Sequence, residues 1–154
     1  MNRQIIINHN ARVKPEDVVF FIGDFCFRNG PGGKKGEGDT KKAIYYEKKL
    51  NGKIIFIKGN HDKNNSCKTI IENLVIYHGG KLINLVHDPK FADISYEINL
   101  TGHVHNNWKI ERIRREFGFT DCINVGVDVW GFKPIAWEEI IKRYSEWKKN
   151  YEKK

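Results

Sequence analysis

Short apolar runs, each closed by a polar cluster, set the rhythm of this chain. Val18-Val-Phe-Phe-Ile22 and Lys53-Ile-Ile-Phe-Ile-Lys58 are bounded runs of β-branched and aromatic residues, which predicts two buried strands. Between them, Ala43, Ile44, Tyr45, Tyr46 and Leu50 suit one broad apolar face of a helix from Thr40 to about Leu50, ended by Asn51-Gly52. Strand, helix, strand predicts a βαβ unit in a parallel sheet. Further on, Ser66 to Asn73 reads as a short helix, and Leu74–Tyr77 and Lys81–Val86 as strands around Gly79-Gly80. Ile94 to Leu100 reads as another strand, Lys109 to Phe119 as a charged, irregular segment or strand pair, and Ile123 to Asp128 as a strand or strand and turn. From Ile135 to about Lys149 the pattern is helical, with Trp137, Ile140, Ile141, Tyr144 and Trp147 on one face. Residues 2–10 stay open at this level: Ile5-Ile6-Ile7 favours a strand by propensity, and a short helix is the alternative.

Composition narrows the class. A chain of 154 residues with 40% hydrophobic positions builds one domain with its own core, residues 1–154, with a frayed basic tail from about 149. No stretch approaches 18 consecutive apolar residues, so no membrane partner is expected, and the N-terminal apolar run is too short for a signal peptide. Cys26, Cys67 and Cys122 are odd in number and lack CxxC spacing, which fits a reducing, cytoplasmic setting. The net charge of +8 would draw anionic partners such as phosphate esters or nucleic acid, although a solvated lysine-rich surface accounts for it equally well. No zinc finger, basic zipper or RNA-recognition aromatic signature accompanies it.

The chemistry concentrates where strands end. Gly23-Asp24, Gly59-Asn60-His61-Asp62, His87 and Gly102-His103-Val104-His105 each stand at the end of a predicted strand. In α/β sheets that edge is where sites are built. Oxygen and imidazole ligands together suit Mn, Fe, Zn or Ni. A carboxylate such as Asp24 can bridge two ions, and two ions about 3.5–4 Å apart can clamp a phosphate and activate a water. Singly, each cluster has a plainer reading: a Gly-Asp turn, a satisfied polar histidine, a surface His pair. The Gly-rich stretch of 28–40 lacks the Gly-Lys-Ser/Thr end of a P-loop and reads as a loop beside the site, from which Arg28 or Lys34 would reach substrate. Asp121 and Asp128 read as turn or surface carboxylates.

These motifs resemble those of the calcineurin-like metallophosphoesterases, and within them the small bacterial and phage-type phosphoesterases. The resemblance spans about residues 1–140 and includes Asn124-Val-Gly-Val-Asp-Val-Trp130. It implies a sandwich of two mixed β-sheets flanked by helices, with a two-metal centre at the strand ends. It implies Asp24 as the bridging ligand, Asn60, His87 and His103 completing one metal site, and His105 belonging to the other. His61 would touch the phosphate and protonate the leaving group, and Asp62 would orient His61.

One motif of that family has no counterpart. The family opens on an Asp-x-His strand, and no Asp-x-His occurs in this sequence. Asn8 and Asn10 do not substitute for it, because only residues 11–17 separate them from the strand at Val18 and a parallel crossover needs roughly a dozen residues. Residues 2–10 are therefore expected to be the helix after the missing first strand, with His9 on its surface. The chain is expected to be N-terminally truncated relative to the family, with another segment or a second subunit covering the sheet edge. The ion near Asn60, His87 and His103 is expected to be retained and the other weak or empty. The function so implied is a metal-dependent phosphoesterase cleaving phosphate mono- or diesters, nucleotides or nucleic acid among them, by a metal-activated hydroxide. A catalytically impaired remnant that binds metal, phosphate or a partner without turnover is the second reading, and a basic nucleic-acid-binding module the third.

Overall fold

Val18–Ile22 (β1) and Lys53–Ile57 (β2) pair in parallel, with Val18 opposite Lys53 and Ile22 opposite Ile57. The βαβ reading of the sequence therefore holds. The computed structural model describes residues 2–26, 41–62 and 68–153, so the Gly-rich loop of 28–40 with Arg28 and Lys34, the helix start at Thr40, and Cys67 lie outside the described residues. The crossover helix α2 spans only Ala43–Glu47. Its last turn tightens, with Lys49 N–H bonding the Tyr46 carbonyl and Leu50 N–H that of Glu47. Only Ala43 of its apolar residues is fully buried, while Ile44 and Tyr45 face solvent, so the broad apolar face expected there is not built.

Asn2–Asn10 is a helix, α1, as the resemblance implied. His9, however, is buried rather than on its surface. The ring's Nε2 meets the Asn51 carbonyl at 2.9 Å, which docks α1 on the turn leading into β2. Asn10 joins the same turn through Lys49 O and Asn51 N–H, and Asn8 donates to Phe132 O. Neither asparagine is available as a ligand.

The second sheet has five strands in the order β3-β4-β5-β7-β6, formed by Asn73–His78 (β3), Lys81–Val86 (β4), Ile98–Thr101 (β5), Ile110–Arg115 (β6) and Gly118–Asn124 (β7). β5 runs parallel to β4 and β7, and the two outer pairs are antiparallel. The α/β class with two sheets and flanking helices is as expected. The smaller sheet is two-stranded and wholly parallel among the described residues, where a mixed sheet was expected.

Two segment readings change. Residues 68–72, expected as part of a helix, instead run along the edge of β2: Thr69 Oγ1 donates to Phe56 O and Lys58 N–H to Ile71 O. The strand expected from Ile94 begins only at Ile98, because Asp93 turns the chain by accepting the Ser95 N–H. That Asp93 carboxyl is held below its usual range, chiefly by the Ser95 backbone hydrogen bond.

One face of the large sheet carries the core. Ile83, Leu85, Ile98, Leu100, Ile110 and Ile123 cluster with Ile140 and Tyr144 of the helix Trp137–Tyr151 (α3), and with Ile22 and Ile57 of the small sheet. The other face buries polar side chains as a ladder: Asn73 donates to Asn84, Asn84 to Asn99, and Asn99 to Thr120. Buried amides need such partners, and here each supplies the next. Asp121 is buried too, contrary to its surface reading: Arg112 grips it at 2.7 and 2.9 Å, and the Tyr144 hydroxyl donates to it at 2.8 Å. That hydrogen-bonded carboxylate keeps the Arg112 guanidinium charged, and burial pushes the Tyr144 hydroxyl up. Among the described residues, no helix is long and apolar enough to cross a membrane.

Candidate metal centre

β1, β2, β4 and β5 all deliver their carboxyl-terminal ends to one place. Asp24, Asn60, His87 and His103 meet there, although they come from both sheets. His87 is the bridge. Its Nδ1 lies 2.9 Å from the Ile22 carbonyl, and its own carbonyl accepts the Gly102 N–H at 3.0 Å. One buried residue thus ties the end of β4 to the ends of β1 and β5.

The backbone at these ends is shaped for close approach. Gly23 has φ +80, and a Cβ there would lie 2.2 Å from His87 Nδ1. At Gly59 a Cβ would lie 2.2 Å from Asp24 Oδ1 and 2.3 Å from the Asp24 amide nitrogen. Asp24, His103 and His105 adopt positive φ of 54, 67 and 48°. Left-handed backbone is uncommon outside glycine and is sustained where the surroundings enforce it. Asp62 supplies part of that enforcement. It is fully buried, and its Oδ2 accepts the N–H groups of both Asp24 and Gly59 at 2.9 Å, locking β1 to β2. Asp24 Oδ1 in turn accepts the His61 N–H at 2.8 Å.

The donor atoms fit a cation. A carbonyl oxygen only accepts, so His87 Nδ1 carries a proton, and when the ring is neutral Nε2 presents a lone pair. That lone pair faces Asp24 Oδ2 at 3.1 Å and Asn60 Oδ1 at 3.0 Å. Asn60 Oδ1 also faces His103 Nδ1 at 2.9 Å. Electron-pair donors at these distances repel one another unless a proton or a cation lies among them. The ligand atoms of Asp24, His87 and His103 lie within 4.8 Å of one another, and they form the one such His/Cys/Asp/Glu group among the described residues. A mixed oxygen and imidazole set suits Mn, Fe, Zn or Ni. The His87 Nδ1–H bond to a carbonyl is the kind of outer contact that fixes a ligating histidine's tautomer.

The other sequence-predicted residues lie around this group. His61, next to Asn60 in the chain, is exposed, and its backbone N–H reaches Asp24 Oδ1. His105 does not join it: its ring is largely exposed, with Nδ1 3.6 Å from Asp128 Oδ2. Asp88, next to His87, stands close enough to His103 to interact electrostatically. Partial burial pushes the Asp88 carboxyl up, but the Lys90 backbone and ammonium and the His103 charge outweigh burial and hold it below the usual range. Sequence reasoning gave no role to Asn124. It is fully buried, and its amide donates to the carbonyls of His105 (2.6 Å) and Trp108 (2.9 Å), clamping the loop that carries both histidines. Its place in Asn124-Val-Gly-Val-Asp-Val-Trp130, a stretch that carries the resemblance, was the available signal.

No family model matches the chain. Vps29 from Entamoeba histolytica, solved with Zn2+, is 19% identical with a TM-score of 0.44, covering 82% of this chain and 64% of that one, a likeness too loose to bear on chemistry. The crystal structure of AQ665, a protein of unknown function from Aquifex aeolicus, superimposes with a TM-score of 0.63 at 27% identity, over 92% of this chain and 83% of that one. The uncharacterized protein MJ1445 of Methanocaldococcus jannaschii is 34% identical over 146 residues, which cover 92% of this chain and 74% of that protein. With that identity over that share of both sequences, the chain belongs to the same protein family as MJ1445.

Proposed function

We propose that the protein is a metal-dependent phosphoesterase acting on phosphate mono- or diesters, in the cytoplasm. The observation that carries this reading is the convergence of Asp24, Asn60, His87 and His103 on one point at four strand ends, with the His87 lone pair turned toward the Asp24 carboxylate. These four residues would hold a divalent cation, with Mn, Fe, Zn and Ni all compatible with the donors. Bound there, a cation supplies a Lewis acid that polarises a phosphoryl oxygen and lowers the pKa of water.

The remaining steps belong to side chains. His61, exposed and next to Asn60 in the chain, would touch a phosphoryl oxygen and give a proton to the departing alkoxide. Asp62 holds the turn that carries His61 by fixing the Asp24 and Gly59 amides. The net charge of +8 raises the local concentration of an anionic ester, nucleotides and nucleic acid among the candidates.

The test is hydrolysis of p-nitrophenyl phosphate and bis-p-nitrophenyl phosphate with Mn, alongside metal binding by calorimetry. Wild type is expected to turn over, H87A to lose both binding and turnover, and H61A to keep binding while losing turnover by at least about 100-fold. Unchanged hydrolysis by H61A would refute its role as the acid.

A second reading rests on His105, which faces Asp128 instead of the Asp24 group. It is that the chain binds one ion without turnover. Metal-loaded wild type that hydrolyses neither ester would decide for it.

A further inference from the structure

The five-stranded sheet ends on β6 at one margin and on β3 at the other, and the two are built differently. β6 carries Glu111, Arg112, Arg114 and Arg115, charges of the kind that keep an outer strand from pairing with another chain. β3, Asn-Leu-Val-Ile-Tyr-His, carries no lysine, arginine, aspartate, glutamate or proline, in a chain that is 30% charged. It has no bulge either, since Asn73 to His78 pair without a break against Val86 to Lys81. Its side chains are incompletely covered. Leu74 and Ile76 are only half-buried, whereas their cross-strand neighbours Leu85 and Ile83 are fully buried. On the opposite face Tyr77, 73% exposed, stands across from Leu82, 53% exposed.

Turn geometry says which backbone groups are free. Gly79 and Gly80 both have positive φ, 57 and 76°, so a tight two-residue turn joins β3 to β4 and His78–Lys81 is its hydrogen-bonded closing pair. Bonded and non-bonded pairs alternate along an antiparallel ladder, so Ile76 and Leu74 also bond inward to β4. The N–H and C=O groups of Asn73, Val75 and Tyr77 therefore point outward, and no backbone group of the described residues pairs with them. We propose that β3 is a dimerisation edge, at which a second copy of this chain pairs antiparallel and extends the sheet across a two-fold axis. One register uses every outward group: Val75 opposite Val75 of the second copy, and Asn73 opposite Tyr77. The same register sets Leu74 against Ile76 on the core side, an apolar cross-strand pair made twice. Just outside the strand it brings the exposed Glu72 opposite His78, so no like charges meet. A contact related by a two-fold axis requires a surface that complements itself, and β3 does so, which selects a second copy as its occupant. This inference is independent of the metal-dependent reading above.

The experiment uses the full chain. Sedimentation equilibrium over a concentration series is expected to show wild type passing from the chain mass to twice that mass. Val75→Lys sets two lysines opposite each other at the axis and is expected to raise the dissociation constant at least about tenfold, while still melting as a folded protein. Phe117→Lys removes an 82% exposed ring from the turn between β6 and β7 and is expected to leave the constant unchanged. Amide hydrogen exchange on wild type needs no variant. The Val75 and Tyr77 amides are expected to slow as protein concentration rises, and the Ile76 amide to be slow throughout. Wild type that stays monomeric at every concentration overturns the proposal, and slow Val75 and Tyr77 amides in that monomer would assign the edge to another segment of the same chain. A dimer that Phe117→Lys breaks and folded Val75→Lys does not also overturns it, and moves the interface to the β6–β7 turn.

Discussion

Asn60 Oδ1 sits between two imidazole nitrogens at 2.9 and 3.0 Å, and the glycines around it leave no room for change. Gly59 is the sharpest case, since a Cβ there meets both the side chain and the backbone of Asp24. The backbone atom cannot step aside as the end of a flexible side chain can. G59A is therefore expected to cost about 1–3 kcal/mol of stability, by urea denaturation, and to weaken Mn binding by at least about tenfold, by calorimetry. At this scale the sequence was informative about identity. Asp24, Asn60, His87 and His103 were each legible as donors because each stands at the end of a predicted strand. The sequence could not show that His9 turns inward or that Asp121 is buried. Both depend on partners far along the chain, Asn51 for one and Arg112 and Tyr144 for the other.

At the scale of elements, Asp121 joins three of them: its own strand β7, β6 through Arg112, and α3 through Tyr144. Removing the carboxylate leaves a mostly buried guanidinium without its partner. D121A is expected to lose about 3–5 kcal/mol in urea denaturation, and Y144F, which deletes one hydrogen bond, only about 1 kcal/mol. On the opposite face of β7, burial pushes the Cys122 thiol up to about 12 from its ordinary 9.0. Because the folded value is the higher one, the associated stability is complete below pH 9 and is lost as pH rises toward 12. The urea midpoint is expected to fall between pH 8.5 and 11, with a smaller fall in C122V, and Cys122 is expected to react with a disulfide reagent only after unfolding. Strand positions were legible at this scale because β1, β2 and β4 are apolar runs. The segments 68–72 and 94–97 were not, because hydrogen bonds to Phe56, Ile71 and Asp93 override their local pattern.

For the molecule as a whole, the candidate centre is a joint between sheets. Asp24 and Asn60 come from the small sheet, and His87 and His103 from the large one. An ion that binds only this assembled arrangement stabilises the folded chain, by about 2.7 kcal/mol at 100 times its Kd. Mn is expected to raise the thermal midpoint, EDTA to reverse the rise, and H87A to abolish it, as read by thermal melts. The sequence alone determined which residues can donate to a metal and that β1 and β2 run parallel. Those follow from side-chain chemistry, chain length and the period of apolar positions, all of which are local. Only the tertiary structure decided that Asp24, Asn60, His87 and His103 form one group, that His105 stands apart beside Asp128, and that Asn124 clamps its loop. Those outcomes depend on the register and packing of two sheets, which place residues as far apart in the chain as Asp24 and His103 within a few ångströms, and no local pattern encodes that distance.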